Sequence, residues 1–362
     1  MSRWLLIVLT VIAFSLSAPV TGLAQDADQT CGCEANPTGN PIGGGEGYTD
    51  IHATGDFLVT NREQLIAALK QATPGQVIFF PDGVEVDLTN QKVLSIAEGI
   101  TLAGTRGRDG SAGARIFSTG FGAMFTTGGD NVRLTGLRFE GAFSGTKRIA
   151  GMGTFISASR YNTTVDNCQI CNFTYCGIGV GRGALKTRIH HNYIHHCQRS
   201  GFGYGVSVWG GGDVHIIANR FDYCRHHVAS TGSPGTGYEA AWNLIMENAI
   251  GSHFDMHGGR DRGDETDIAG DWMHIHHNTF LSTQVNVGIR GTPSGGADIH
   301  SNWFSRPLDK ALRSTGNTRA FNNVHGPDRI SQDHAICFVD SKPVECAVER
   351  CSFCRAAGRQ DH

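Results

Sequence analysis

From residue 168 onward the chain repeats a short pattern: two or three mostly apolar residues, Asn, any residue, then a bulky apolar one, usually Ile or Phe. Asn192, Asn219, Asn243, Asn278, Asn302 and Asn323 occupy the Asn place, and Cys168 takes it one turn earlier. The successive spacings are 24, 27, 24, 35, 24 and 21 residues. A period in the twenties, carried by strands without helices, predicts a β-solenoid. An Asn in the same turn of every coil can bond the next coil's backbone and side chain, which predicts a ladder. Upstream, Thr60-Asn61-Arg62-Glu63 offers a capping box for a short helix through about Ala72. Pro74-Gly75 then turns the chain into an apolar strand over residues 77–80.

A second strand aligns in each repeat, over residues 205–209, 227–231, 253–257, 286–290 and 311–315. Alternate residues of a strand point to opposite faces. One face reads Val206/Val208, Val228/Ser230, Phe254/Met256, Val287/Ile289 and Leu312, which is a core. The other face is expected to carry three columns: Gly205, His227, His253, Asn286, Ala311; Ser207, Ala229, Asp255, Gly288, Arg313; and Trp209, Thr231, His257, Arg290, Thr315. Arg182 falls one coil earlier.

The opening helix, the strand after Pro-Gly, the stretch Leu94-Ser95-Ile96-Ala97-Glu98-Gly99-Ile100-Thr101-Leu102-Ala103-Gly104 and the Asn ladder resemble the pectate-lyase-like β-helix superfamily, over about residues 55–325. The resemblance implies an all-β chain: a single-domain right-handed parallel β-helix with an Asn ladder and a short N-terminal capping helix. That superfamily holds lyases, epimerases, hydrolases, esterases and adhesins, so the fold does not name a reaction. Asp255-Met256-His257 also resembles the Asp-Pro-His-Asp strand of alginate C5-epimerases, departing by Met for Pro and Gly258 for the final Asp. Pectate lyases proper place carboxylates around calcium on this sheet, and those carboxylates are missing here.

The composition sharpens the question. Seventeen His in a chain only 17% charged is a surplus, and it gathers on the aligned strands. A solvated sheet face more often shows Thr, Ser, Lys and Glu. Removing the weakly acidic proton beside a uronate carboxylate needs a base near neutrality and a cation where charge develops. The expected catalytic set is therefore His257, His253, Asp255, His227 and Arg290. Arg313, Trp209, Arg182, Arg260, Asn286 and Thr231 are expected to bind substrate, with Arg taking carboxylates and Trp209 stacking on a sugar ring. The leading expectation is a lyase that cleaves an acidic polysaccharide by β-elimination. Its rivals are a uronan C5-epimerase, a glycoside hydrolase pairing Asp255 with Glu239 or Asp261, and a non-catalytic glycan-binding solenoid. A net charge of −3 speaks against a nucleic-acid binder working through bulk positive charge.

The 35-residue spacing marks an insertion after His257, over residues 258–271, that should wall the outward face. Its Asp261, Asp264 and Asp267 are candidate oxygen ligands for Ca2+, against a solvated acidic loop; no other cofactor is expected. His190, His276 and His300 share one flank column, and His215 and His274 share another with Glu239. They are read as stacked imidazoles ahead of a metal site. Residues 1–24 read as a signal peptide cut near Ala24, which implies a secreted or periplasmic protein and makes disulfides expected among the eleven Cys. Residues 25–50 read as a flexible linker, 51–330 as the catalytic β-helix, and 331–362 as a Cys-rich tail. In that tail Cys351-x-x-Cys354, with His334 nearby, is a zinc candidate against disulfides. No later apolar run is long enough to span a membrane, and a monomer is expected.

Overall fold

The computed structural model describes residues 31–143 and 145–326. The expected signal peptide and the Cys-rich tail with its zinc candidate lie outside the described residues. Three parallel sheets of eleven, nine and ten strands wrap one apolar core, each strand pairing with its equivalent in the next coil. This is a parallel β-helix in a single domain. The core is one continuous cluster from Val59 to Ala311 and contains Phe pairs such as Phe139–Phe155, with centroids 3.8 Å apart. No helix of the described residues is long and apolar enough to cross a membrane.

The Asn ladder forms at the sharp corner between the eleven- and ten-stranded sheets. The Asn219 amide N–H and Nδ2 both donate to Asn243 Oδ1, at 2.8 and 3.0 Å, and Nδ2 also donates to Ile189 O at 2.8 Å. The same pattern repeats through Asn302 and Asn323. Cys168 starts it by donating its amide to Asn192 Oδ1. The residue before each Asn is left-handed, with φ of 54° at His191, 51° at Ala218 and 54° at Trp242. An L-residue in that conformation costs about 1–2 kcal/mol. Three buried amide bonds per rung, at about 1 kcal/mol net each, offset that cost.

The helix Arg62–Gln71 caps the N-terminal end of the core with Leu65 and Ala68. Its N-cap is Asn61, whose side chain accepts from Gln64 N, while Gln64 reaches back to Thr60. The box is therefore shifted one residue from the expected Thr60/Glu63 pair.

Residues 31–50 correct the linker expectation. Gly32 N–H donates to Ser301 O, Gly43 N–H to Ala218 O, and Gly45 N–H to Asn167 Oδ1. Buried Tyr48 donates to Asp166 Oδ2 at 3.0 Å. The segment is a strap laid across successive ladder corners. The disulfide expectation is not met among the described residues, where no bridge joins the cysteines; Cys197 and Cys224 stack as buried thiols.

Candidate active site

The outward face of the nine-stranded sheet carries the chemistry, but its columns differ from strict alternation. The hydrogen-bonded register runs Thr154, Cys176, Tyr204, His226 and resumes at Ile156, Ile178, Val206, Val228. One residue per coil is skipped: Phe155, Gly177, Gly205 and His227. This bulge, stacked from coil to coil, turns two consecutive residues toward the core. A Cβ on Gly177 would meet Ile170 and Ile194, and one on Gly205 would meet Phe221, all core residues. His227, His253 and Asn286 occupy the same inward position and have no exposure. The His227 ring lies 4.8 Å from His253 and 5.6 Å from Phe221. Burial pushes the His253 imidazole down to about 3 and His227 well below its ordinary value, so both are neutral. Neither reaches the outward face where they were expected, and Asn286 turns inward with them.

The bulge brings forward two residues outside the expected set. Tyr204 and His226 take the outward place, their rings stacked with centroids 5.7 Å apart. His226 Nδ1 bonds Ser252 O, and its Nε2 lies 3.4 Å from Asp255 Oδ2. Gly177 and Gly205 in the inward column were the available signal, since Gly inside a strand often marks a bulge.

Asp255 and His257 lie as expected. Asp255 is 4% exposed and faces His257 Nε2 at 3.0 Å and Arg290 Nη2 at 2.6 Å. Burial pushes its carboxyl up, but the His257 hydrogen bond and the His226 and Arg290 charges outweigh it and hold it well below the carboxylate range. The insertion walls the site: the helical turn Gly259–Arg262 follows His257 and brings Asp261 to 3.1 Å from Arg290 Nη1 and 3.9 Å from His257 Nδ1. Arg262 pins the loop by donating to Thr231 O, Gly232 O and Ile268 O. Thr231 is thereby part of the loop's anchorage, and its hydroxyl bonds Ser233 at 2.9 Å.

The two Nη groups of Arg290 hold Asp255 and Asp261, so its guanidinium ties the two carboxylates together. Arg313 pairs in register with Gly288, which pairs with Asp255, so it stands two coils from Asp255 with no intervening side chain. Arg313, Arg260 and Arg182 are exposed and, among the described residues, have no carboxylate partner. Trp209 lies flat on the preceding coil; a Cβ on Gly179 or Gly181 would meet its ring at 2.5 or 2.9 Å.

The three candidate calcium carboxylates are each engaged by protein groups in this structure. Asp261 is held by Arg290, Asp264 by Arg262 and Thr266, and Asp267 by Thr292. Among the described residues no three His, Cys, Asp or Glu form a metal-holding group. On the flank, Glu239 bonds His215 at 2.6 Å and His276 at 2.9 Å. His276 and His300 stack 5.1 Å apart. Glu239 sits on the eleven-stranded sheet, engaged by two imidazoles, and is no partner for Asp255.

No family model matches the chain, and no curated protein sequence matches it. Among solved structures it is similar to an alginate lyase from a Paenibacillus species, at 17% identity and a TM-score of 0.45. The similarity covers 75% of this chain and 95% of that one. At that distance the chemistry has to be read from this chain's own side chains.

Proposed function

We propose that the protein is a polysaccharide lyase that cleaves a uronate-containing glycan by β-elimination, with His257 as the base. One observation carries this reading: a half-buried imidazole bonded through Nε2 to a buried, ionised carboxylate, on a sheet face where Arg313, two coils on, is exposed and without a carboxylate partner among the described residues. With Nε2–H donated to Asp255, the Nδ1 lone pair is free to take a proton. It takes the C5 proton of the uronate, and the released electron pair passes through the C5 carbanion to form the C4–C5 double bond as the C4–O4 bond breaks. Arg313 holds the uronate carboxylate, onto which the charge of the carbanion is delocalised. The imidazolium lies between Asp255 and Asp261, which stabilise it, and it returns the proton to the departing oxygen. Arg290 keeps both carboxylates in place through the cycle.

Hydrolysis fits less well. A glycosidase needs one protonated carboxyl as general acid, and Asp255 is held ionised by three neighbours. Product NMR after incubation with alginate, pectate and glycosaminoglycans tests the proposal. The expected spectrum shows a C4–C5 unsaturated non-reducing end. New reducing ends without it mean hydrolysis, and inverted C5 without cleavage means epimerisation; either outcome overturns the proposal.

A further inference from the structure

The outward face divides along the solenoid axis. Charged groups occupy the coils of His226, Asp255, Arg290 and Arg313. The two preceding coils carry aromatic rings instead. Tyr175 lies 5.4 Å from Phe202, 6.3 Å from Tyr204 and 6.3 Å from Trp209, centroid to centroid. Tyr175 and Phe202 pack over buried Cys176, Tyr204 and Ala229. Cys176, Tyr204 and Ala229 belong to three successive strands of this sheet, so the rings form one layer over it. Tyr175, Phe202 and Trp209 stay partly exposed, so the layer is covered below and open above.

We infer that this aromatic layer is a sugar-binding subsite of the same glycan whose uronate is processed at His257. The inference rests on the proposed glycan chemistry and adds where the chain lies and how far it must reach. The layer and the charged cluster share one sheet face, and register-paired strands connect them without interruption. Each coil advances about 4.8 Å, close to the length one pyranose adds to an extended glycan. Tyr175 begins three coils before the Asp255–His257 strand. A glycan lying along the axis therefore places a ring on Tyr175 and Phe202 two to three units from the bond being cleaved. Aromatic faces take the apolar C–H face of a pyranose, an interaction that needs no charge on that sugar. Two of the arginines near the layer are turned to other work: Arg225 donates to Tyr204 Oη, and Arg199 bonds Ile149 O beneath Phe202.

The test compares size-fractionated acidic oligosaccharides with wild type, Tyr175→Ala, Phe202→Ala and the ring-preserving Tyr175→Phe. On hexasaccharides the two Ala variants should lose at least tenfold in kcat/KM, mainly through KM. On trisaccharides, too short to span both regions, they should stay within twofold, and Tyr175→Phe should match wild type on both. A loss independent of length, or no loss, overturns the inference. The same question is asked of binding, without turnover, in His257→Gln. Long glycans should quench Trp209 fluorescence and short ones should not, with Trp209→Phe as control. Absence of any quenching by long glycans overturns the subsite. Absence of unsaturated product from wild type, with quenching intact, overturns only the lyase reading.

Discussion

Asp255 is the residue on which the site turns. Four groups converge on it from three coils and the inserted loop: His226, His257 and Arg290 directly, with Asp261 joined through Arg290. Replacing it with Asn keeps the shape but removes the charge that, in the proposed reaction, fixes the His257 tautomer and stabilises the imidazolium. Asp255→Asn should lower kcat by at least about 10²-fold, the scale of positioned general-base catalysis, with KM little changed. Initial-rate kinetics on the best acidic glycan measures this, and a change confined to KM contradicts the assigned role. At this scale the sequence was legible in part. Asp255 and His257 could be found because 255 and 257 lie past the bulge, where alternation holds. His227, His253 and Asn286 could not be placed, because one skipped register position reverses the face of everything before it. Arg290 was placed on the outward face, but its pairing with Asp261 could not be read, since Asp261 reaches it from an insertion whose path no spacing rule gives.

Among the elements, the ladder corner was the most legible, because one residue type recurs at a coil-length spacing with apolar neighbours in step. The bonds show what it is worth. Asn243→Ala takes the acceptor from the Asn219 amide N–H and from one Nδ2–H and removes the side-chain donor to Ile216 O, while Asn278 Oδ1 keeps the backbone N–H of residue 243. At about 1–3 kcal/mol for each unsatisfied buried group, partly relieved by relaxation, the cost should be about 3 kcal/mol or more. Asn323→Ala, in the partly exposed last rung, should cost less than half of that. Urea denaturation of the two variants checks the contrast, and equal losses mean that the ladder is not the source. The strap was illegible for the opposite reason. Its Gly- and Asn-rich composition is that of a free loop, and its order comes from bonds to corners far away in sequence, such as Gly32 N–H to Ser301 O.

Across the whole molecule, the His surplus sets the response to acid. Burial pushes His191 and His226 down to about 4 and His253 to about 3. The unfolded chain takes protons on these residues near pH 6.5, while the native state does not until pH 4 or below. Their stabilising contribution is therefore fully present above pH 6.5 and is lost as pH falls toward 4. Each group loses about 1.4 kcal/mol per pH unit in that window, so the three together cost about 4 kcal/mol at pH 5.5 relative to pH 8. His215 works the other way, because its bond to Glu239 raises it, but its side chain is 42% exposed and solvent screening keeps the effect small. Chemical denaturation between pH 5 and 8 should show stability rising with pH, and a flat profile contradicts the buried, neutral assignment.

The proposed reaction rests on His257 as the base on the outward sheet face. The most direct test follows the ultraviolet absorbance of unsaturated uronate while wild type and His257→Gln act on the same panel of acidic polysaccharides. The account predicts steady growth of absorbance with wild type on at least one polymer, and a rate lower by at least about 10²-fold for the variant. Equal rates for the two proteins, or cleavage by wild type without that absorbance, would contradict it.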